Sequence, residues 1–351
     1  MSKVETTYQI ELFDPQKADR AAWERHHAFR RAVHALVRPD DPVDPDELEE
    51  TRMKREDPFG LRHFYSVTEG DRAIGFFGWG VMKPEAPGYE SNKEYIWGGG
   101  EVLPEARRRG IGREGLTLLR DDMIRYERTL ATLWGVEEED GHAALRHVGA
   151  EEKTVFAENR LDLRKLDWDM VESWIAQGRA KSEDLELKLF EDELPEEFFE
   201  EYAPILSDLL MTMPFDDLEH GDIVVTPETL KDDRDRMKEL GAKHHTLIAR
   251  KGGRLAGMTD VKWSPAKPAY IDQRFTGVHP EFRGRGLGKL LKAYMLDFLR
   301  TRYDGLVWVI TGNAHSNDPM LAINHALGFT EYKPSSAYQI DLEALNKYLE
   351  S

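Results

Sequence analysis

The chain of 351 residues contains no cysteine. Disulfides, thiolate metal sites and a cysteine nucleophile are therefore excluded. No apolar run approaches the roughly 18 residues that a bilayer-spanning helix needs. The stretch Met1 to Ile10 is polar and has no signal-like hydrophobic segment. A cytoplasmic protein with no membrane partner is the expectation. Positive charge is also scarce: 48 Lys and Arg stand against 66 Asp and Glu, for a formal net charge of -18. No basic cluster interleaved with aromatics offsets this, so no nucleic-acid partner is expected, because an acidic surface repels a phosphate backbone. The excess of acid reads as a solvated surface, or as an attraction for a cationic amine. Histidines are scattered. His142 and His147 are five apart, and His244 and His245 point to opposite sides of a strand, so no metal site is expected.

What is present is enough apolar material for a core, 40% of residues, over a length that suggests about two domains. The two halves repeat one another. Tyr8 to Phe13 and Leu185 to Phe190 both alternate as strands, and each precedes an acidic, helix-prone stretch. Phe64 to Gly78 and His245 to Met258 both read as hairpins with glycine-bearing turns. The best match pairs Val102 to Gly112 with Val278 to Gly288, each between a strand and a helix. The second helix, Lys289 to Tyr303, has an apolar stripe of Leu290, Leu291, Tyr294, Met295, Phe298 and Leu299. A strand at Leu306 to Ile310, a helix at Asn317 to Leu327 and Gly328-Phe329 follow. The boundary is expected in Leu166 to Asp184, with a short helix at Met170 to Ile175 and a polar run to Asp184. This gives an N-terminal domain 1–168, a linker 169–184 and a C-terminal domain 185–351.

Arg283-Gly284-Arg285-Gly286-Leu287-Gly288 joins strand to helix. Glycines permit positive φ, successive N–H groups converge on one point, and the helix N-terminus adds partial positive charge. This is an anion site suited to a phosphate or pyrophosphate, with Arg283, Arg285 and Lys289 as added cations. The dinucleotide fingerprint does not fit, because the third glycine comes one residue early. The nucleoside-triphosphate loop does not fit either, since three residues separate glycine from Gly-Lys and Leu290 follows Lys289.

Val278, Pro280, Glu281, the glycine loop, Asn317 and Asn324 to Phe329 together resemble the GNAT superfamily of acyl-CoA-dependent N-acetyltransferases. Arg283, Gly286 and Gly288 match that family's Arg/Gln-x-x-Gly-x-Gly/Ala signature. The resemblance covers Leu185 to Leu342 well and Tyr8 to Leu166 less well. It implies two tandem α/β (α+β) domains, each a mixed, mostly antiparallel sheet flanked by helices. It also implies acetyl-CoA as cosubstrate, with its pyrophosphate on Arg283, Gly284, Arg285, Gly286, Leu287, Gly288 and Lys289. The pantetheine arm would run beside the strand ending at Val278, whose backbone would orient the thioester, and Asn317 would bond the arm.

Acetylating an amine requires a neutral nitrogen, hence a base. Asp272 lies eleven residues before Arg283, where several family members place a carboxylate base, usually glutamate. Asp216, Asp217 and Glu219 compete from the segment expected to face the amine substrate. Many members use a tyrosine at the position of Asn324 to protonate the thiolate. As a catalytic candidate Asn324 can hydrogen-bond the sulfur or a water but is no ordinary acid, which leaves water, Tyr332 or Tyr338 to deliver the proton. In the first copy Arg108 stands at the place of Gly284, Ile96 (or Tyr95) at that of Asp272, both asparagines are missing, and Gly149-Ala150 replaces Gly-Phe. That copy reads as structural, although Glu94 and Glu101 lie nearby. The leading expectation is an acetyltransferase acting on a primary amine by direct transfer in a ternary complex. A non-catalytic acyl-CoA sensor is the alternative, and a kinase is disfavoured by the loop spacing. The acceptor and the oligomeric state are not encoded in any motif.

Overall fold

The computed structural model describes residues 8–181 and 184–351. The strands are β1 (Gln9–Leu12), β2 (Gly60–Glu69), β3 (Arg72–Met82), β4 (Tyr95–Val102), β5 (Leu130–Val136), β6 (Glu151–Asp162), β7 (Leu185–Phe190), β8 (Lys243–Lys251), β9 (Arg254–Trp263), β10 (Tyr270–Val278), β11 (Trp308–Ala314) and β12 (Thr330–Asp341). The α-helices are α1 (Arg20–Val37), α2 (Asp46–Lys54), α3 (Tyr89–Asn92), α4 (Ile111–Arg125), α5 (Glu139–Val148), α6 (Trp168–Lys181), α7 (Phe199–Leu210), α8 (Pro227–Glu239), α9 (Leu287–Arg302), α10 (Asp318–Leu327) and α11 (Leu342–Glu350).

Packing divides the described chain into two compact units that do not follow chain order. Unit 1 holds the residues up to Thr154, with Asp217–Gly221 and Ser336–Ser351; unit 2 holds Val155–Asp216 and Asp222–Ser335. In unit 1 the sheet runs β1-β2-β3-β4-β5-β12, and its last strand is supplied by Ser336 to Asp341. In unit 2 it runs β6-β11-β10-β9-β8-β7, and its first strand is supplied by the residues from Val155 on. In each unit one pair is parallel, β4 with β5 and β10 with β11, and the other pairs are antiparallel. This is the mixed, mostly antiparallel α/β architecture expected from the sequence. The segment read as a linker is largely helix: α6 runs through most of the polar stretch to Lys181.

The core of unit 2 explains why α9 lies where it does. Leu290, Leu291, Met295, Leu296 and Leu299 are buried against Leu247, Ala249, Val261 and Ile271 of the sheet. Each such side chain contributes about 1.5–3 kcal/mol on burial. On its other flank α9 meets α6 so closely that a Cβ on Gly178 would sit 2.8 Å from Leu290 Cβ. The other sheet face packs Phe199, Tyr202 and Leu209 of α7 on Ile248, Leu255 and Met258. The core of unit 1 is built the same way, with Ile111, Leu119 and Met123 of α4 on Ile74, Ile96 and Ala131. Tyr338 and Leu345, from the C-terminal segment, complete it.

Candidate active site

In unit 2, β10 and β11 are paired only from Tyr270–Trp308 to Asp272–Ile310. Beyond that point β10 stays with β9 and β11 stays with β6, so the two strands part. A cleft of about 780 Å³ opens between them, and it reaches the glycine loop and the first turn of α9. A bulge at Arg274 accompanies the divergence, as the pairing to β9 skips one residue between Gln273 and Phe275. The inner wall is polar and satisfied. Gln273 Nε2 donates to Thr259 Oγ1 at 2.8 Å, Thr259 and Thr276 hydroxyls lie 2.7 Å apart, and Thr311 Oγ1 donates to Gln273 O at 3.2 Å.

All seven residues from Arg283 to Lys289, together with Val278 and Asn317, line this cleft. Gly284 and Gly286 take φ of +75° and +83°, and a Cβ built on either meets no atom within 4 Å. Their missing side chains therefore leave cleft space free. Gly288 has a different reason: its Cβ would come within 3.2 Å of Ile323 Cδ1, where α9 passes α10. The first-turn amides of α9 have no partners within the helix and face the anion site. Arg283 stiffens the loop, donating from Nε to Val278 O at 2.9 Å and from Nη2 to Thr212 Oγ1 at 2.9 Å. Lys289 Nζ lies 4.8 Å from the Trp174 ring centroid. Asn317 caps α10 with no side-chain cap bond, which leaves its amide available.

The charges facing the cleft are Lys181, Arg274, Arg283, Arg285, Lys289 and Lys292, with no Asp or Glu among the lining residues. In a chain of net charge -18 this is a marked local reversal. Arg274 is paired with Asp233 at 2.8 Å; the other five give the cleft a positive potential.

Asp272 is the last β10 residue of the parallel ladder and does not line the cleft. It stands beside Gln273, which does. Its side chain is exposed, yet desolvation by the surrounding protein raises its pKa above the ordinary carboxylate value, and Lys262 and Lys267 work against that rise. Asn324 is fully buried on α10, its Nδ2 donates to Asn313 Oδ1 at 2.8 Å, and its Oδ1 has no partner. Asn313 lines the cleft and Asn324 does not. Asp216 and Asp217 do not line it either, whereas nearby Met213 and Pro214 do. Asp216 sits in a turn with φ 51°, and the Asp217 amide bonds Lys153 O within unit 1. The Glu219 amide bonds Gln339 Oε1, also within unit 1. Tyr338 is buried in unit 1 with its hydroxyl 2.9 Å from His142 Nδ1, and Tyr332 carries the Arg160 guanidinium 3.4 Å over its ring. His244 pairs with Asp260 and His245 with Tyr303, on opposite sides of β8 as expected. Among the described residues no His, Asp and Glu cluster suits a metal.

Sequence reading missed Lys292, Gln273, Thr311 and Asn313. Lys292 carries a signal that was available: it follows Gly288 by one turn and precedes Leu296 by one turn, so it interrupts a buried stripe.

The first copy keeps the loop, but two of its three arginines are ion-paired. Arg107 Nε donates to Val102 O at 3.0 Å, as Arg283 does to Val278 O. Arg108 holds φ 62°, a left-handed conformation where unit 2 has glycine. However, Arg107 is paired to Glu101 at 3.1 Å and Asp140 at 2.7 Å, and Arg109 to Glu69. Arg283 meets only neutral oxygens. The strand registers also correct one equivalence. Asp272 pairs with Lys262 and Trp97 pairs with Gly80, the same ladder positions in the two copies. The bulge at Arg274 shifts the count by one, so Trp97, not Ile96 or Tyr95, stands at the place of Asp272. Ile96 instead matches Ile271; both are 1% exposed in their cores.

Comparison with known proteins agrees with this geometry. Residues 193–329 match the sequence model of the acetyltransferase (GNAT) family. Mycothiol acetyltransferase of Thermomonospora curvata is 36% identical over 113 residues, 32% of this chain and 36% of that protein. The N-alpha-acetyltransferase RimI of Mycobacterium tuberculosis is 34% identical over 94 residues, 26% of this chain and 56% of that protein. The chain thus spans between about a third and about half the length of these relatives. Among solved structures, a tandem GNAT protein from the clavulanic acid biosynthesis pathway superposes with a TM-score of 0.72 at 22% identity, over 95% of this chain and 98% of that one. A GCN5-related N-acetyltransferase from Sphaerobacter thermophilus gives 0.63 at 11% identity, over 96% of both chains. No helix among the described residues is long and apolar enough to cross a membrane. Residues 193–329 thus match the acetyltransferase (GNAT) family, and the chain as a whole has the fold of a tandem GNAT protein.

Proposed function

We propose that the chain transfers an acetyl group from acetyl-CoA to a primary amine by direct attack in a ternary complex. The carrying observation is the cleft of unit 2, where Arg283, Arg285 and Lys289 flank a glycine loop at a helix N-terminus and no carboxylate is among the lining residues. Coenzyme A is a polyanion with a long, mostly neutral arm. On this reading its pyrophosphate lies on the amides from Arg283 to Lys289, and its arm lies along β10 toward Val278 and Asn317. Backbone N–H groups released where β10 leaves β11 stabilise the developing oxyanion. Asp272 takes the proton from the amine, directly or through water, with its raised pKa bringing it closer to that task. Asp216 and Asp217 belong to the segment on the acceptor side. The name of one relative puts α-amines first in an acceptor screen.

Initial rates measured against both substrates should give intersecting lines. Parallel lines, or an acetylated protein trapped without acceptor, would contradict direct transfer. Acetyl-CoA bound with no thiol release across an amine panel would leave a sensor. Unit 1 is assigned a structural role, because Glu101, Asp140 and Glu69 occupy Arg107 and Arg109, the counterparts of Arg283 and Arg285. Calorimetric titration should therefore find one CoA per chain, and a stoichiometry of two would overturn that assignment.

A further inference from the structure

One cleft residue has no task in the reading above. Lys292 lies on the second turn of α9, lines the cleft and is 2% exposed. Among the described residues no ion pair or hydrogen bond reaches its ammonium; the nearest marked feature is the Phe329 ring, with its centroid 5.4 Å from Nζ. Burial alone pushes its pKa down to about 7. The other charged groups facing the cleft are Lys181 of α6, Arg274 of β10, and Arg283, Arg285 and Lys289 at the loop. Phe329, between α10 and β12, is uncharged. An unpaired ammonium in such a place is unfavourable. The neighbours Leu290, Leu291 and Leu296 show what packing alone would select.

An anion that arises during turnover would answer this cation. Acetyl transfer creates one inside the cleft, the thiolate of CoA. The position from which family members deliver a proton by tyrosine is Asn324, whose amide is committed to Asn313 and carries no acidic proton. Tyr338 and Tyr332 are occupied elsewhere, with His142 and Arg160.

We propose that Lys292 protonates the sulfur of coenzyme A as it leaves. The proposal rests on the donor-site reading above. As the amine nitrogen bonds to the acetyl carbonyl carbon, the C–S bond breaks and its electron pair passes to sulfur. The Nζ–H bond of Lys292 then breaks and the proton goes to sulfur, giving the free thiol and a neutral lysine. The proton lost by the acceptor nitrogen goes to Asp272 or water, and Lys292 regains one from solvent as the products leave.

The pH dependence of turnover supplies the test. An acid must carry its proton to act, and burial holds the Lys292 ammonium down to about 7, so wild-type kcat should fall as pH rises through that value. In Lys292→Met turnover should fall roughly 10²-fold at neutral pH with KM for acetyl-CoA unchanged, CoA affinity should stay within about threefold of wild type, and the alkaline limb of the kcat profile should disappear. Lys292→Leu serves as a second apolar variant should the first fold poorly. An alkaline limb that persists in a folded variant would overturn the proposal. So would loss of CoA binding in a folded variant, which would make Lys292 an anchor for the arm. Wild-type protein that fails to bind CoA would instead remove the donor-site reading, and CoA binding with no turnover of any amine would overturn the proposal together with the transferase reading.

Discussion

Gly286→Val is expected to weaken CoA binding by at least about 10²-fold. The α-carbon of Gly286 holds φ +83°, and a side chain there would project into cleft space that no protein atom occupies within 4 Å. The clash would therefore be with the ligand, not with the fold. Hydrogen bonds to a charged partner are worth roughly 1.5–3 kcal/mol each. Losing two amide–phosphate contacts thus corresponds to about 10²–10⁴ in affinity. The left-handed conformation adds about 1–2 kcal/mol of strain for a residue with a Cβ. That is well below the roughly 5–15 kcal/mol that holds a domain folded, and a thermal melt will confirm it. Gly110→Val is the matched control: Gly110 has φ +90° in the first loop, and its substitution should leave affinity unchanged. Wild-type affinity in Gly286→Val would show that the loop is not the pyrophosphate site. Equal losses from both variants would show that both copies bind.

Asp272→Asn should lower turnover roughly 10²–10⁴-fold, the span for removing a general base, with acetyl-CoA affinity retained because the loop is untouched. Desolvation by the surrounding protein raises this carboxyl above its ordinary value. The base must be ionised to work, so wild-type kcat/KM should fall as pH drops through that raised pKa. The variant should lack this acid limb. Its deficit should shrink at high pH, where the amine is neutral unaided. Trp97 occupies the same strand position in unit 1 and accepts no proton, so Trp97→Phe should leave turnover intact apart from packing effects. A near-wild-type rate for Asp272→Asn at neutral pH would transfer the role to another carboxylate or to a chain of waters.

The glycine-loop end of the cleft was legible because its signals are local. Glycines at fixed offsets, a strand before them and a helix after them set backbone geometry within a dozen residues, so Arg283 to Lys289 and Asn317 were placed in the cleft from sequence. The acceptor side was not. Asp216, Asp217 and Glu219 were grouped by proximity in the chain, yet the Asp217 and Glu219 amides bond to Lys153 and Gln339, partners more than 60 residues away. The bulge at Arg274 shifted the repeat alignment by one, and nothing in the composition of that strand marks it. Lys292 was passed over because a lysine on a helix is ordinarily solvated; only the pairing of both flanking turns with the core makes its burial visible. The repeat itself was clear, but a repeat describes how each stretch folds locally and does not say which sheet its last strand joins.

That last point bears on how the protein forms. The sheet of unit 1 closes on Ser336 to Asp341, and its core takes in Tyr338 and Leu345. During synthesis the first half must wait for nearly the whole chain to emerge before its sheet is finished. Unit 2 has its own bordering strand, from Val155 on, well before the glycine loop is made. Unit 2, which carries the cleft, is thus complete first, although most of it is encoded second. Cutting the gene between the repeats would yield two fragments, each missing an edge. Trimming the C-terminus would injure unit 1, whose sheet and core it completes.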